Sequence, residues 1–279
     1  MTDVALASTG IVDDPDTPAL VAALDVVGIT AHPVAWADAA VDWASFDATV
    51  IRSTWDYPMA HEAFLAWARR VPNLINPADV VAWNSDKRYL ADLAAVGVPT
   101  IPTTYAATGR DAAIPDGPVV VKPTVAGGSR GAARFGAGDL EGARAHVDAI
   151  SALGVEAMVQ PLVASVEADG ELDVVVFEGT VSHAVVKHAP IGLEATAEPT
   201  GPVSVTTVDP DAAQRAVVAD ALAAVPFEAT LCYARVDLVA LPTGPAVIEV
   251  ELIEPFLFLS VHEAAADRFA RAIARRVAR

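Results

Sequence analysis

Three acidic residues lie at strand spacing within RVDLVALPTGPAVIEVELIEP, residues 235–255. Successive side chains of a strand point to opposite faces, so Glu249 and Glu251 share a face, as do Arg235 and Asp237. The aliphatic face predicted for the second strand consists of Ile248, Val250 and Leu252, with Val247 on the acidic face. Turn residues in LPTGP predict antiparallel neighbours. The pattern therefore gathers three carboxylates and one guanidinium on one patch.

Carboxylates from adjacent strands are ligands for a hard divalent cation such as Mg²⁺. We predict Asp237, Glu249 and Glu251 as metal ligands. Mg²⁺ recruits few protein carboxylates and completes its coordination with phosphate oxygens, so such a site predicts a bound nucleotide. In the alternative, both glutamates face solvent on an edge strand.

Basic and glycine-rich segments upstream could bind phosphates. Lys122 ends the apolar strand PVVVKP, where a buried ammonium needs a partner. The backbone of the following loop can approach phosphates closely through Gly127, Gly128, Ser129 and Gly131. Its lysine precedes the glycines, so this is not a Walker A loop. For the loop, the alternative is a surface hairpin. Lys87, in NSDKRYL, is a further candidate for phosphate binding, and its alternative is an exposed lysine on a helix.

The order of these features resembles the ATP-grasp superfamily, in its glutathione-synthetase-like branch, over about residues 84–256. The resemblance implies an α/β fold of α+β lobes: an N-terminal parallel α/β subdomain (1–85), a central ATP-binding lid subdomain (86–160) and a C-terminal metal-binding catalytic lobe (161–279). It also implies an ADP-producing ligase that activates a carboxylate as an acyl phosphate, which an amine then captures.

The resemblance implies a role for each matching residue. Lys87, Lys122 and the 126–131 loop contact the nucleotide phosphates. The adenine edge meets the segment of Gln160, Pro161 and Val163, and Glu171 holds the ribose hydroxyls. Two Mg²⁺ ions, for which Mn²⁺ can substitute, bind Asp237, Glu249 and Glu251. Arg235 and Lys187 are the catalytic cations.

The sequence departs from that pattern in places. Many members have asparagine where this chain has Glu251, and glutathione-synthetase-like members have arginine where it has Asp173. A later glycine-pair loop that helps to hold the acceptor is not evident in residues 192–202. The nucleotide half of the family pattern is thus better matched than the acceptor half.

A substrate-binding role is predicted for RSTWDYP, which follows the strand DATVI at the carboxyl end where open α/β sheets bind ligands. Arg52 could pair with a substrate carboxylate and Asp56 with an amino group. The predicted substrate residues are Arg52, Ser53, Thr54, Trp55, Asp56 and His183. In the alternatives, Arg52 and Asp56 form a structural pair, and His183 is a structural histidine.

A closer resemblance narrows the function. DKRYLADLAAVGVPTIPTT, VSHAVVKH and RVDLV…EVELIEPFLFL are similar to the O-ureido-serine cyclo-ligases of D-cycloserine biosynthesis, an antibiotic pathway. The predicted activity is an ATP-dependent carboxylate–amine ligase acting on a small amino acid or derivative. The alternatives are an intramolecular cyclo-ligase, a kinase-like enzyme that stops at phosphorylation, and a nucleotide-binding module without turnover.

Periodicity predicts the elements that position these residues. Strands and helices alternate over the first 85 residues, which predicts a mainly parallel sheet. Two further strands are predicted in ELDVVVFEGTVSHAVVKH, joined by a turn at Glu178 and Gly179. We predict a helix from Pro210 with Asp209 as its N-cap, and a last helix with a Ser260–Glu263 capping box. In the helix DLEGARAHVDAISALG, the predicted buried face begins at Leu140.

Amino-acid composition limits the class of protein and the kinds of partner that we expect. The 279 residues are 53% hydrophobic and 19% charged, with a net charge of −18, so we expect a globular protein without nucleic acid or membrane partners. Neither a secretory signal nor an apolar run of membrane-spanning length is evident. The single cysteine, Cys232, fits the cytoplasm. Small-molecule carboxylate and amine substrates are the expected partners, and a homodimer is an allowed assembly.

Overall fold

The computed structural model describes residues 2–10, 14–188, 204–228 and 230–278. A four-stranded parallel sheet forms the N-terminal part in the order β2-β1-β3-β4. Its strands are β1 (Thr2–Ser8), β2 (Ile29–Ala35), β3 (Ala48–Ser53) and β4 (Leu74–Ile75). The predicted parallel sheet is therefore confirmed.

The helices of this part are α1 (Thr17–Val26), α2 (His61–Ala68) and α3 (Ala78–Asn84), and two short 3₁₀ helices span Trp43–Ser45 and Tyr57–Ala60. Proline in the first turn of α1 starts that helix with its fixed φ. Gly28, at φ 80°, ends it in the left-handed conformation that favours glycine. Leu20 and Leu24 of α1 are fully buried against the sheet.

A second sheet is antiparallel, in the order β5-β8-β6-β7. It comprises β5 (Thr104–Ala106), β6 (Val119–Pro123), β7 (Ala133–Phe135) and β8 (Ala157–Pro161). Helix α4 (Tyr89–Ala95) precedes it and α5 (Leu140–Ser151) packs on it. The glycine-rich loop connects β6 to β7, at the edge of this sheet.

A third, antiparallel sheet follows the order β11-β10-β9-β12-β13. Its strands are β9 (Glu171–Phe177), β10 (Thr180–His188), β11 (Ser204–Val208), β12 (Tyr233–Leu241) and β13 (Gly244–Glu251). Its helices are α6 (Ala164–Asp169), α7 (Ala212–Ala223) and α8 (Ala265–Val277). Glu178 and Gly179 both have positive φ, so the predicted β9–β10 turn is confirmed.

The two faces of the third sheet pack against different parts of the chain. One face buries Val236, Leu238 and Val250 against α4 and α7. On the other face, Phe177 and Tyr233 pack against α8, where Phe177 stacks on Phe269 at 4.9 Å between ring centroids. That face continues beyond α8 into the cleft that holds the acidic residues. None of the described helices has the length and apolarity needed to cross a membrane.

A β-bulge changes one predicted face. Asp237 pairs with Glu249, but the next residue, Leu238, pairs with Val247, so Ile248 is the extra residue. Val247 is therefore fully buried with Val250, while Ile248 lines the cleft beside the acids. The prediction that Ile248 shares a face with Val250 and Leu252 was wrong for Ile248, because strict alternation does not allow for an inserted residue.

The helix predictions need three corrections, two to caps and one to a buried face. Helix α7 begins two residues later than predicted: its N-cap is Asp211, which forms a capping box with Gln214. The last helix has Ala264 as its N-cap, with no side-chain cap, so Ser260 and Glu263 do not form the predicted capping box. Leu140 is 42% exposed, because α5 buries only Ala143, Val147 and Ile150 of the predicted face.

Candidate active site

The acidic patch forms on neighbouring strands as predicted. Asp237 of β12 lies opposite Glu249 of β13, and Arg235 lies opposite Glu251. One carboxylate oxygen from each of Asp237, Glu249 and Glu251 lies within 4.8 Å of the other two. This spacing allows all three side chains to share a cation.

Arg235 is held in place by four hydrogen bonds. Its Nε and one terminal nitrogen donate to the two oxygens of Asp237, each at 2.8 Å, and that nitrogen also donates to Glu251 at 2.6 Å. The other terminal nitrogen donates to the Phe256 carbonyl at 3.1 Å. A planar guanidinium gripped in this way has a fixed orientation at the floor of the cleft.

The two predicted phosphate lysines reach the same patch from the second part of the chain. Lys87 Nζ lies 2.9 Å from Glu249 Oε1 and donates to the Ala126 carbonyl at 2.5 Å, which ties the start of the glycine-rich loop to the acids. Lys122 forms no ion pair with any described residue, and burial lowers the pKa of its ammonium in spite of Glu249. A phosphate oxygen would supply the anion that Lys122 lacks.

A second group of acids shares Asp237. Glu171, Asp173 and Asp237 also have oxygens within 4.8 Å of one another. Lys187 crosses from β10 to this group, 3.1 Å from Glu171 and 3.0 Å from Asp173. The residue that departs from the family pattern, Asp173, is fully buried, and its charge is matched by Lys187 and by Arg235 at 3.7 Å.

The carboxylates differ in their electrostatic environments. Burial would raise the pKa of Glu249, but Lys87 and Lys122 outweigh burial and lower it to about 2. Burial raises the pKa of Glu251 to about 7, and Glu249 and Asp237 add to that rise against the effect of Arg235. A divalent cation bound among these three acids would favour the ionised form of each carboxylate. The donor set consequently fits Mg²⁺.

One side of the cleft fits a nucleotide. It is lined by the acids, by Arg235 and by most of the residues predicted to contact the nucleotide: Lys122, Gly128, Ser129, Gln160, Pro161, Val163 and Glu171. The side chain of Gln160 points elsewhere, because it donates to Thr103 Oγ1 at 2.9 Å. Gly127 and Gly131 line the adjoining side, so the loop forms the roof over both.

The adjoining side is a cavity of about 910 Å³, within the range of small-molecule sites. It shares Lys87, Lys187, Arg235, Glu249 and Glu251 with the nucleotide side. Its own lining includes four aromatic side chains, those of Trp55, Tyr57, Phe256 and Phe258, and one additional acid, Glu254. Burial, together with Glu251, raises the pKa of the Glu254 carboxyl.

The RSTWDYP segment is only partly in this cavity. Among the described residues, Trp55 and Tyr57 line it, whereas Arg52, Ser53, Thr54 and Asp56 do not. Arg52 is 1% exposed and lies 3.6 Å from Asp14, not in a pair with Asp56. Asp56 instead accepts a hydrogen bond from Trp36 Nε1 at 2.9 Å. The structure therefore separates the predicted charged pair from the cleft.

His183 also lies outside the cleft. Its Nε2 donates to the Leu257 carbonyl at 2.8 Å, its ring stacks on His262 at 5.2 Å, and Arg268 faces the same pair. Burial lowers the pKa of His183 from 6.5 to about 4, in spite of the hydrogen bond to the Leu257 carbonyl, and His262 and Arg268 add to the fall. The arrangement supports the structural interpretation of this histidine.

This environment makes a pH-dependent stability prediction. The unfolded chain takes up a proton near pH 6.5 that the folded His183 resists until about pH 4, so stability should fall as the pH falls through that window, by up to roughly 3 kcal/mol. Urea unfolding of the wild type and His183→Gln between pH 7.5 and 4 measures it. The difference between the two curves isolates His183, and parallel curves would contradict the prediction.

Two asparagines that were not predicted as site residues fix the end of β13, the strand that carries Glu249 and Glu251. Asn84 donates to the Val250 carbonyl at 2.7 Å and accepts from the Leu252 amide at 2.8 Å. Asn76 bridges Cys232, Tyr233 and Leu252 with three bonds of 2.8 to 3.0 Å. Isolated asparagines carry no periodic signal, and their partners lie 156 to 176 residues away in the chain. The stretch 192–202, judged to lack a glycine-pair loop, lies outside the described residues.

Comparison with known proteins agrees with this geometry. Residues 4–76 match the family model for the N-terminal domain of D-cycloserine synthetase DcsG. The chain is 42% identical to the cycloserine biosynthesis protein DcsG of Streptomyces lavendulae, with 95% of this chain and 94% of that protein covered. A crystal structure of D-cycloserine synthetase DcsG is 39% identical, with a TM-score of 0.86 and 99% of each chain covered. D-alanine–D-alanine ligase of Bacillus anthracis, at 14% identity, has the same fold, with a TM-score of 0.71 over 100% of this chain and 98% of that one.

Proposed function

Because this chain belongs to the D-cycloserine synthetase family of ATP-grasp ligases, we propose that it closes an O-ureido-serine-like amino acid into a ring. The general activity, ATP-dependent ligation, follows from the family. The specific substrate and the intramolecular reaction are the proposal. The observation that carries it is the single cleft in which the acids and Arg235 lie between a nucleotide side and a walled substrate side.

Mg·ATP, when bound, supplies the phosphoryl group that activates the substrate carboxylate. In the proposal, Asp237, Glu249 and Glu251 hold two Mg²⁺ ions, and Mn²⁺ can replace them. The oxygens of these three carboxylates lie within 4.8 Å of one another, which supports this assignment. Lys87 and Lys122 hold the phosphates, and the loop around Gly128 covers them.

Arg235 acts on the carboxylate that becomes the acyl phosphate. Its fork is fixed by Asp237 and Glu251, so its positive charge needs no reorganisation when negative charge develops on the transferring group. Lys187 is fixed by Glu171 and Asp173 beside it. The roof formed by the glycine-rich loop keeps water from the activated carboxyl group.

Ring closure then requires only the substrate's own nitrogen. The nitrogen bonded to oxygen attacks the activated carboxyl carbon, phosphate leaves, and a proton is released from the attacking nitrogen. Because the nucleophile and the electrophile belong to one molecule, no translational and rotational entropy is lost in binding a second substrate. A cavity of about 910 Å³, walled by four aromatic rings, is suited to one small molecule in a folded conformation.

Release of ADP with Mg·ATP and a substrate panel tests this proposal. The panel contains both enantiomers of O-ureido-serine, alanine, serine, and pairs of amino acids, and products are identified by mass. We expect ADP release with O-ureido-serine as the only added amino acid. The ring-closed product should be lighter than this substrate by the mass of one water molecule. ADP release that requires a second amine would replace the cyclo-ligase proposal with an intermolecular ligase, and phosphate ester formation without a new C–N bond would indicate a kinase.

A further inference from the structure

We propose that the carboxylate of Glu254 binds the α-ammonium group of the amino-acid substrate. The inference rests on the proposed function, because it concerns the same cleft and an amino acid as the substrate. It assigns a ligand to a side chain that neither the metal site nor the nucleotide side uses.

Glu254 lies on the substrate side of the cleft, apart from the metal ligands. It lines the cavity with Trp55 and Tyr57 but not the nucleotide side. A Cβ placed on Gly127 would be 3.9 Å from Glu254 Oε1, so the carboxylate lies beside the glycine-rich loop. Glu254 is absent from both groups of described acids whose oxygens lie within 4.8 Å of one another.

The other acids of the cleft already have cationic partners. Glu249 pairs with Lys87 at 2.9 Å, Glu251 with Arg235 at 2.6 Å, and Glu171 with Lys187 at 3.1 Å. Within the part of the chain that the structure describes, Glu254 forms no ion pair. A cation that arrives with the substrate would supply the partner that Glu254 lacks and would favour its ionised form.

The surroundings select an organic ammonium group over a metal ion. Mg²⁺ needs several oxygen ligands at once, and Glu254 offers one isolated carboxylate. Trp55, Phe256 and Phe258 present aromatic rings to the same cavity, and cations are attracted to aromatic faces. An ammonium group can use the carboxylate and the rings together.

The distance along the substrate also fits. In an α-amino acid the ammonium and carboxyl groups are attached to the same carbon, so the residues that bind them must be close. Arg235 lies where the reacting carboxyl group is expected, and Glu254 lines the same cavity as Arg235. Both groups of one small molecule can therefore be held at once.

The backbone on both sides of Glu254 is fixed by side chains from elsewhere in the chain. Tyr233 Oη donates to the Ile253 carbonyl at 2.7 Å, Trp55 Nε1 to the Glu254 carbonyl at 3.3 Å, and Arg52 to the Pro255 carbonyl at 3.2 Å. A binding group needs support of this kind to keep its position. In this proposal Arg52 and Trp55 are positioning residues for Glu254.

The test compares Glu254→Gln with the wild type in ADP release, using O-ureido-serine and its des-amino analogue. Loss of a charged hydrogen bond should raise the KM for the amino acid about 10- to 100-fold. The KM for ATP and that for the des-amino analogue should stay within about twofold, because neither contacts Glu254 in this proposal. Glu62→Gln, at an exposed position, is the matched control.

The inference is overturned if Glu254→Gln changes the KM values of both compounds equally or of neither. A separate readout needs no turnover: with Mg·ADP bound, the amino acid should raise the Tm of the wild type more than its des-amino analogue does, and Glu254→Gln should remove that difference. If the wild type releases no ADP with O-ureido-serine, the proposed function fails. The Tm comparison, made with the amino acids of the panel, then decides the role of Glu254 alone.

Discussion

Replacing Glu249 by glutamine is expected to lower ATP-dependent turnover by about 1,000-fold or more. Glutamine has nearly the same shape, and its carbonyl oxygen can still accept the hydrogen bond from Lys87 that Glu249 receives at 2.9 Å. The change therefore removes a charge from the proposed metal site while it preserves the packing. A metal that neutralises phosphate charge contributes several kcal/mol to the transition state, and loss of one anionic ligand forfeits much of it.

Two measurements on Glu249→Gln separate catalysis from folding. The Tm of the ligand-free variant should fall, because Lys87 and Lys122 lose the carboxylate whose pKa they lower to about 2. Turnover is therefore expressed per folded molecule. The rise in Tm on addition of Mg·ATP should shrink. Glu141→Gln, which changes an exposed glutamate in the first turn of α5, should leave both quantities unchanged. Turnover within tenfold of the wild type would mean that Glu249 is not a metal ligand in the reaction.

Much of the site could be predicted because it depends on strand periodicity. Arg235 and Asp237, and Glu249 and Glu251, are two residues apart, and an alternating pattern places each pair on one face whatever the rest of the chain does. Lysine at the end of an apolar strand is equally local. The bulge at Ile248 was not predictable, since inserting one residue leaves both flanking sequences strand-like.

The substrate side could not be predicted in the same way. Arg52 follows a parallel strand, where ligands commonly bind, but residues 255–259 pass over that edge. Its contact with Pro255 spans 203 residues of sequence. Asp16 fixes the same segment by accepting from the amides of Leu257 and Leu259 at 3.0 and 2.7 Å. Contacts over such separations leave no trace in local patterns.

Arg52 and Trp55, three residues apart in the sequence, both support this part of the chain. Both donate to successive carbonyls of the segment that carries Glu254, Phe256 and Phe258. Phe258 has φ 52°, which is costly for a bulky residue and persists only where neighbours enforce it. The RSTWDYP segment therefore supports this wall of the cavity, and of its residues only Trp55 and Tyr57 line the cavity themselves.

Replacing Arg235 by lysine is expected to lower kcat at least about 100-fold, with a smaller change in the KM for ATP. Lysine keeps the positive charge but cannot reproduce the fork that joins Asp237, Glu251 and the Phe256 carbonyl. A guanidinium directed at the transferring phosphoryl group is used mainly in the transition state, so its loss appears in kcat and not in ground-state binding.

The same substitution removes hydrogen bonds from buried Asp237, so the free energy of unfolding of Arg235→Lys should also fall, by a few kcal/mol. Assays are therefore made below the lowered Tm, with kcat expressed per folded molecule from the unfolding curve. Arg215→Lys, which alters a half-exposed ion pair with Asp209, is the control and should change neither quantity appreciably. A purely structural role for Arg235 would give fewer folded molecules with wild-type kcat. Our assignment requires the folded molecules themselves to be slow, because Asp237 and Glu251 hold the guanidinium where the carboxyl group reacts.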